Sequence, residues 1–240
     1  MQLLERFVPD ARTAALLIPA AVAYTILAAG LAAHLHTRRG VRAPYTRKVF
    51  HFAIFTMAGV VHLLWGLPGV STYGAVVAAA VLYATSRGDG FPFYEALARP
   101  SDAPRRTLFV LVPLATTALG GVVANLLFGD LALIGYLVAG WGDAVGEPVG
   151  VRWGRHRYRV PSLAGVAATR SLEGSAAVLL VGCAAATLGL IAWGSAPGDA
   201  VLVGVACGSA AALVEAVSTH GLDNFTVQVA AAGVAALLLG

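Results

Sequence analysis

The sequence predicts an all-α, polytopic transmembrane helical bundle of about eight spans, and three observations carry that expectation. Apolar residues make up 58% of the 240-residue chain and charged residues only 12%, against roughly 25% charged in an average soluble domain. Glycine is frequent, with 28 residues, as is usual where transmembrane helices approach closely. Apolar runs of roughly 17–25 residues, the length that crosses a bilayer, follow one another along the chain.

The spans fall at about 14–33, 49–66, 68–85, 107–127, 130–149, 172–193, 199–218 and 222–239, forming a single integral membrane domain over residues 1–240. The first is too long for a signal peptide, and the segment before it mixes Glu5 and Asp10 with Arg6 and Arg12. The second and third are joined by Gly66-Leu67-Pro68-Gly69, a turn signal. Residues 86–106, with Phe91, Phe93 and Tyr94 among mixed charges, suggest a short interfacial helix or a loop. A long basic loop separates spans five and six. Cys183 and Cys207 sit inside apolar runs without metal-ligand spacing.

Charge sets the orientation. Fifteen of the sixteen cations are Arg, and Lys48 is the single lysine. Fourteen of the sixteen lie in the loops after spans one, three and five, and only Arg6 and Arg12 lie on the other side. Positive charge is retained on the cytoplasmic side. The basic loops are therefore expected in the cytoplasm, with both termini outside. The bilayer is the expected partner of such a chain, and nucleic acid is not.

Ionisable groups at membrane depth are expensive and need a reason; here they gather at one end of the spans, in four clusters. In Thr46-Arg47-Lys48-Val49-Phe50-His51, a Thr46 cap would put Arg47 and Lys48 in the first helical turn, against the macrodipole. With His51 on the same face, an anion would relieve that conflict. In the run Gly140 to Gly150, Asp143 and Glu147 are four apart and stack on one helix face, where a divalent cation shared with phosphate would offset their repulsion. Gly146 and Gly150 allow close approach of a ligand or a helix. In Arg170-Ser171-Leu172-Glu173-Gly174-Ser175, Ser171 can cap span six with Glu173 in its first turn; Arg170 and the amides near Gly174 could also cradle phosphate. The fourth cluster is Glu215, which calls for an arginine or a metal, and His220-Gly221-Leu222-Asp223-Asn224, where Asp223 can cap span eight. His62 and Asn125 read as interhelical hydrogen-bonding residues, and Asp130 and Asp199 as turn residues.

Taken together, Arg47-Lys48-Val49-Phe50-His51, Gly142-Asp143 through Gly154, Arg170 to Ser175, and Glu215 with Leu222-Asp223-Asn224 resemble the CTP-dependent polyprenol kinase family, which includes dolichol kinase, phytol kinase and CTP-using diacylglycerol kinases. The CDP-diacylglycerol synthases are distantly similar. The motifs appear in the family's order. The chain departs from the pattern in two places: Arg170 stands where the family usually has lysine, and Phe225-Thr226-Val227-Gln228 stands where it often continues to a proline.

The resemblance implies transfer of the CTP γ-phosphoryl group to a membrane lipid alcohol: polyprenol, phytol, another isoprenoid alcohol, or diacylglycerol. It places Mg²⁺ on Asp143 and Glu147, with Glu173 and Glu215 as further candidates. Arg47, Lys48 and Arg170 would hold phosphates, with Ser171, Gly174 and Asn224 beside them. Asp223 or Asp143 would orient or deprotonate the hydroxyl, with His51 as a third candidate. Two other classes remain open on sequence: a cytidylyltransferase forming a CDP-lipid from phosphatidic acid, and a non-catalytic transporter or scaffold. Carboxylates near helix ends rather than at the midplane argue against transport.

Overall fold

The computed structural model describes residues 5–163, 166–219 and 221–240, so His220 of the fourth cluster lies outside the described residues. Among the described residues, eight α-helices, two short 3-10 turns and one antiparallel strand pair make up the regular structure, and the chain divides into two compact units between Leu114 and Ala115. Five helical stretches are long and apolar enough to cross a membrane, and each expected span falls on helix to within about two residues. Leucines on their outer faces stay bare, as at Leu27, Leu180, Leu202 and Leu213. That pattern suits lipid rather than water, because helices satisfy their own backbone groups there.

In the first unit, α1 (Ala11–Arg39) starts where Asp10 accepts the Arg12 and Thr13 amides at 3.0 Å each. It ends at left-handed Gly40 after His36, Arg38 and Arg39, cations suited to a helix C-terminus. Helix α2 (Ala43–Arg87) is broken by Gly66 at φ 58°, a conformation that glycine adopts without Cβ strain. A Cβ on Gly69 would lie 3.2 Å from a Val61 methyl. Residues eight apart in a straight helix are about 12 Å apart, so the chain turns back here, as the Gly66–Gly69 signal predicts.

The structure corrects the expected start of that helix. Arg42, not Thr46, is the N-cap, and Pro44 stands in the first turn, where its fixed φ favours initiation. Thr46 is buried and donates to the Ala96 carbonyl at 2.8 Å. Arg47 and Lys48 therefore sit beyond the first turn, and the dipole conflict expected of them is weaker.

Between the units' long helices, residues 86–106 form α3 (Pro92–Leu97), whose Phe93, Tyr94, Ala96 and Leu97 are buried. They join Leu17, Phe50, Val61, Tyr73 and Val77 in the core of the first unit. Arg106 clamps this segment. It donates to Asp89 at 2.7 Å, to Glu95 at 2.5 Å and to the Ala98 carbonyl at 2.9 Å, with its guanidinium over the Tyr94 ring. Burial alone would raise the Glu95 carboxyl, but hydrogen bonds from Arg106 and the Gly90 amide outweigh it and hold Glu95 below its ordinary value.

Helix α4 (Leu108–Phe128) leads into the second unit, followed by α5 (Ala132–Trp153), α6 (Leu172–Trp193), α7 (Pro197–Val217) and α8 (Asp223–Leu239). The chain reverses between α4 and α5, because Tyr136 reaches Asn125 by hydrogen bond and packs on Gly121. Asn125 thus plays the interhelical role expected of it. Helix α5 is central, with Leu133, Ile134 and Val138 fully buried. Its glycines set the spacing. A Cβ on Gly146 would meet Val178 of α6 at 2.5 Å, and one on Gly135 would meet the Gln228 carbonyl oxygen of α8 at 2.5 Å. Gly204 and Gly208 of α7 pack in the same way on Thr187 and Cys183 of α6.

The basic loop is not irregular as expected. It holds β1 (Arg157–Leu163) and β2 (Val166–Ser171), paired antiparallel with Tyr158 opposite Arg170. The hairpin is fastened to α6 by the Leu172 amide on the His156 carbonyl at 3.0 Å and by Tyr158 Oη with Ser175 Oγ at 2.7 Å.

Two outcomes follow. Gly135→Ala places a methyl against backbone that has no rotamer to yield, so it should destabilise the detergent-solubilised protein by about 1–3 kcal/mol. Gly30→Ala, with nothing within 4 Å, should leave the unfolding midpoint unchanged. Glu95, depressed in the fold, contributes stability above its ordinary value near 4.5, and that contribution disappears as pH falls through the lower folded value. Proteolysis of residues 88–106 should therefore accelerate on acidification, and Glu95→Gln should abolish the pH dependence, an effect of about 1 kcal/mol or less for a partly exposed pair.

Candidate active site

Three helices and one strand of the second unit bring acidic and basic groups together. Asp143 comes from α5, Glu215 from the end of α7, and Asp223 and Asn224 from the first turn of α8. These four line one small pocket with Val138, Ala139, Val178 and Val227. Apolar walls around convergent polar groups are the usual makeup of a ligand site.

Arg170, near the end of β2, ties the acidic groups. Its guanidinium pairs with Glu215 and, through Nη2, with Asp223 Oδ2 at 2.9 Å, and it also donates to the Ser218 carbonyl at 3.3 Å. All three side chains are only 11–14% exposed. The expectation that Glu215 needs an arginine or a metal is met by an arginine. Asp223 is not a cap: Leu222 precedes the helix, and Asp223 spends Oδ2 on Arg170 and Oδ1 on the Asn224 amide at 3.0 Å.

The third cluster divides. Ser171 caps α6, accepting the Gly174 amide at 3.1 Å. Gly174 faces the Gly146 carbonyl and Gly150 Cα, so its bareness serves the packing of α5 on α6. Glu173 turns to the hairpin, where His156 Nδ1 lies 2.8 Å from Oε1 and the His156 amide 3.3 Å from the same oxygen. Glu147 stands one turn beyond Asp143 along α5.

The first cluster belongs to the other unit. Lys48 and His51 are buried there, with the His51 ring 4.4 Å from that of Phe55. Arg47 Nη1 is buried with no hydrogen-bond partner among the described residues.

Sequence reading missed the polar seam behind Asp223. Asn224 Nδ2 donates to Thr117 Oγ1 at 3.0 Å, and Gln228 Nε2 donates to the Asn224 carbonyl at 2.5 Å and to the Thr117 carbonyl at 3.3 Å. Thr116 Oγ1 donates to the Gly221 carbonyl at 2.6 Å. An amide inside an apolar span, four residues after Asn224, was the available signal.

The donor set suits Mg²⁺ in part. Asp143, Glu215 and Asp223 offer hard carboxylate oxygens around one pocket, and Glu215 Oε2 is buried without a hydrogen-bond partner among the described residues. No three His, Cys, Asp or Glu side chains among the described residues close into a ready cage. An ion there would be held by one or two carboxylates and would complete its shell with water and phosphate oxygens. Glu173, engaged with His156, does not fit the set.

No family model and no solved structure matches the chain. It is similar to a phytol kinase from Synechocystis sp. (strain ATCC 27184 / PCC 6803 / Kazusa), with 34% identity over 200 residues, which cover 80% of this chain and 78% of the relative. A third of its residues shared over most of both lengths is what the order of the four motifs leads one to expect: the chain belongs to the phytol kinase family, a branch of the polyprenol kinases.

Proposed function

We propose that this protein, a lipid-alcohol kinase of the membrane, transfers the γ-phosphoryl group of CTP to the hydroxyl of an isoprenoid alcohol, with phytol the first candidate. The observation that carries the reading is the pocket lined by Asp143, Glu215, Asp223 and Asn224, with Arg170 at its carboxylates, in a chain similar to a phytol kinase. Phosphoryl transfer asks a protein for positioning and charge neutralisation rather than covalent help, and these residues supply both.

In this reading Asp143 would hold Mg²⁺, with Glu147 and Glu215 Oε2 able to join. The ion, when bound, would supply neutralisation of phosphate charge. Arg170 holds a phosphate oxygen, and Glu215 keeps its guanidinium facing the pocket. Asp223 has its two oxygens fixed by Arg170 and the Asn224 amide; it or Asp143 orients the alcohol and takes its proton. The alcohol oxygen forms a bond to the γ-phosphorus, the bond from that phosphorus to the β–γ bridging oxygen breaks, and CDP leaves. The excess of arginine in the loops supports a site on the cytoplasmic side, where the nucleotide is found and where a lipid hydroxyl can reach from within the leaflet.

Purified protein in detergent with Mg²⁺, phytol and γ-labelled CTP should yield labelled phytyl phosphate. Label from α-labelled CTP on phosphatidic acid instead would overturn the kinase reading in favour of a cytidylyltransferase. Asp143→Asn should lower the rate about 100-fold or more, whereas Asp199→Asn, in the first turn of α7, should leave it unchanged. Arg170→Lys should keep part of the activity that Arg170→Gln loses, because the charge survives but the two-carboxylate fork does not.

A further inference from the structure

We infer that Gln228 is a positioning residue, acting with Thr117 through Asn224 to hold Asp223 at the pocket. The inference rests on the reading of Asp223 given above. It starts from how α8 begins. The residue before the helix, Leu222, provides no side-chain cap, so the helix start that carries Asp223 is not fixed in the ordinary local way. What fixes it comes from further along the chain.

Gln228 is 1% exposed, inside an apolar helix. Both of its amide hydrogens are used by one nitrogen, which donates to the Asn224 carbonyl at 2.5 Å and to the Thr117 carbonyl at 3.3 Å. Asn224 completes the loop by donating to Thr117 Oγ1 at 3.0 Å while its own amide is accepted by Asp223 Oδ1 at 3.0 Å. The partners cannot drift apart, because α8 is pressed between bare backbones. A Cβ on Gly120 would lie 3.0 Å from Phe225 Cα and 3.2 Å from the Asn224 carbonyl oxygen, and one on Gly135 would lie 2.5 Å from the Gln228 carbonyl oxygen. A buried amide is costly unless paired, so the seam has one low-energy arrangement, and in it Asp223 points to Arg170. If the hydrogen bonds of Gln228 are lost, the first turn of α8 keeps Arg170 on Asp223 and Asn224 on the Thr117 hydroxyl but loses its tie to the Thr117 carbonyl, and a displacement of about 1 Å at a reacting group can cost about 100-fold in rate.

The test compares Gln228→Leu, Thr117→Val, Thr117→Ser and Asp223→Asn in detergent, using γ-labelled CTP with phytol, alongside hydrogen exchange of residues 221–226. Gln228→Leu is expected to lower kcat about tenfold or more with a smaller change in the KM for CTP, because Arg170 keeps its pairing with Glu215. Thr117→Val should do the same, and Thr117→Ser, which keeps the acceptor, should restore the rate. Amide exchange at 221–226 should rise in the two defective variants and stay unchanged in α5. Wild-type kcat and exchange in folded Gln228→Leu, with Asp223→Asn inactive, would overturn this inference alone. A fully active Asp223→Asn would instead overturn the role given to Asp223. A rate loss in Gln228→Leu that merely tracks the folded fraction would reduce Gln228 to a packing residue, and a Thr117→Ser variant no better than Thr117→Val would overturn the part of the inference that runs from the Thr117 hydroxyl through Asn224.

Discussion

The ion pairing of Arg170 with Glu215 and Asp223 is the interaction on which the second unit turns. It joins the end of a strand, the end of α7 and the start of α8, three places that regular secondary structure does not connect. Removing a buried charge from water is expensive and is recovered only with good geometry and several partners. Arg170 has both carboxylates and the Ser218 carbonyl. In the function proposed above the same groups would handle phosphate, so the stabilising contact and the reactive one would share atoms. A site of this kind cannot be optimised for stability alone.

Around that charged centre the fold depends on backbones coming unusually close. In lipid there is no hydrophobic drive to press helices together, so close contact and polar seams must hold them. Gly142, Gly146 and Gly150 let α5 lie on α6, and Gly135 lets it lie on α8. The glycine run beside Asp143 therefore has a packing purpose as well as a position next to the pocket. It brings the carboxylate of one helix within reach of those carried by two others.

Much of this was legible in the sequence, for definite reasons. Apolar runs of bilayer length gave the helices, and the requirement that Glu215 find a countercharge pointed to its arginine. Ser171 announced the start of α6. The start of α2 was misread because Thr46 is a good cap by residue type, whereas Pro44 at the first turn was the stronger signal. The strand pair was hidden because Arg157-Tyr158-Arg159-Val160 reads first as a basic loop, although its alternation has the period of a strand. The seam was illegible for a different reason. Thr117 and Gln228 are 111 residues apart, and no local pattern links a threonine in one apolar helix to a glutamine in another. Yet Gln228 lies in the stretch where the chain departs from the family's pattern.

The polar opening of α8 also bears on how the protein is made. A segment that carries Asp223, Asn224 and Gln228 into the bilayer is a poor candidate for insertion by itself, because each side chain would face hydrocarbon unsatisfied. Its acceptor, Thr117 on α4, and the closely packed backbone at Gly120 and Gly135 leave the ribosome roughly a hundred residues earlier, so the partners of α8 are synthesised before it. Completion of the pocket and membrane insertion of its most polar helix are then one event, and a nascent chain has no competent site until the helices that shelter it have assembled.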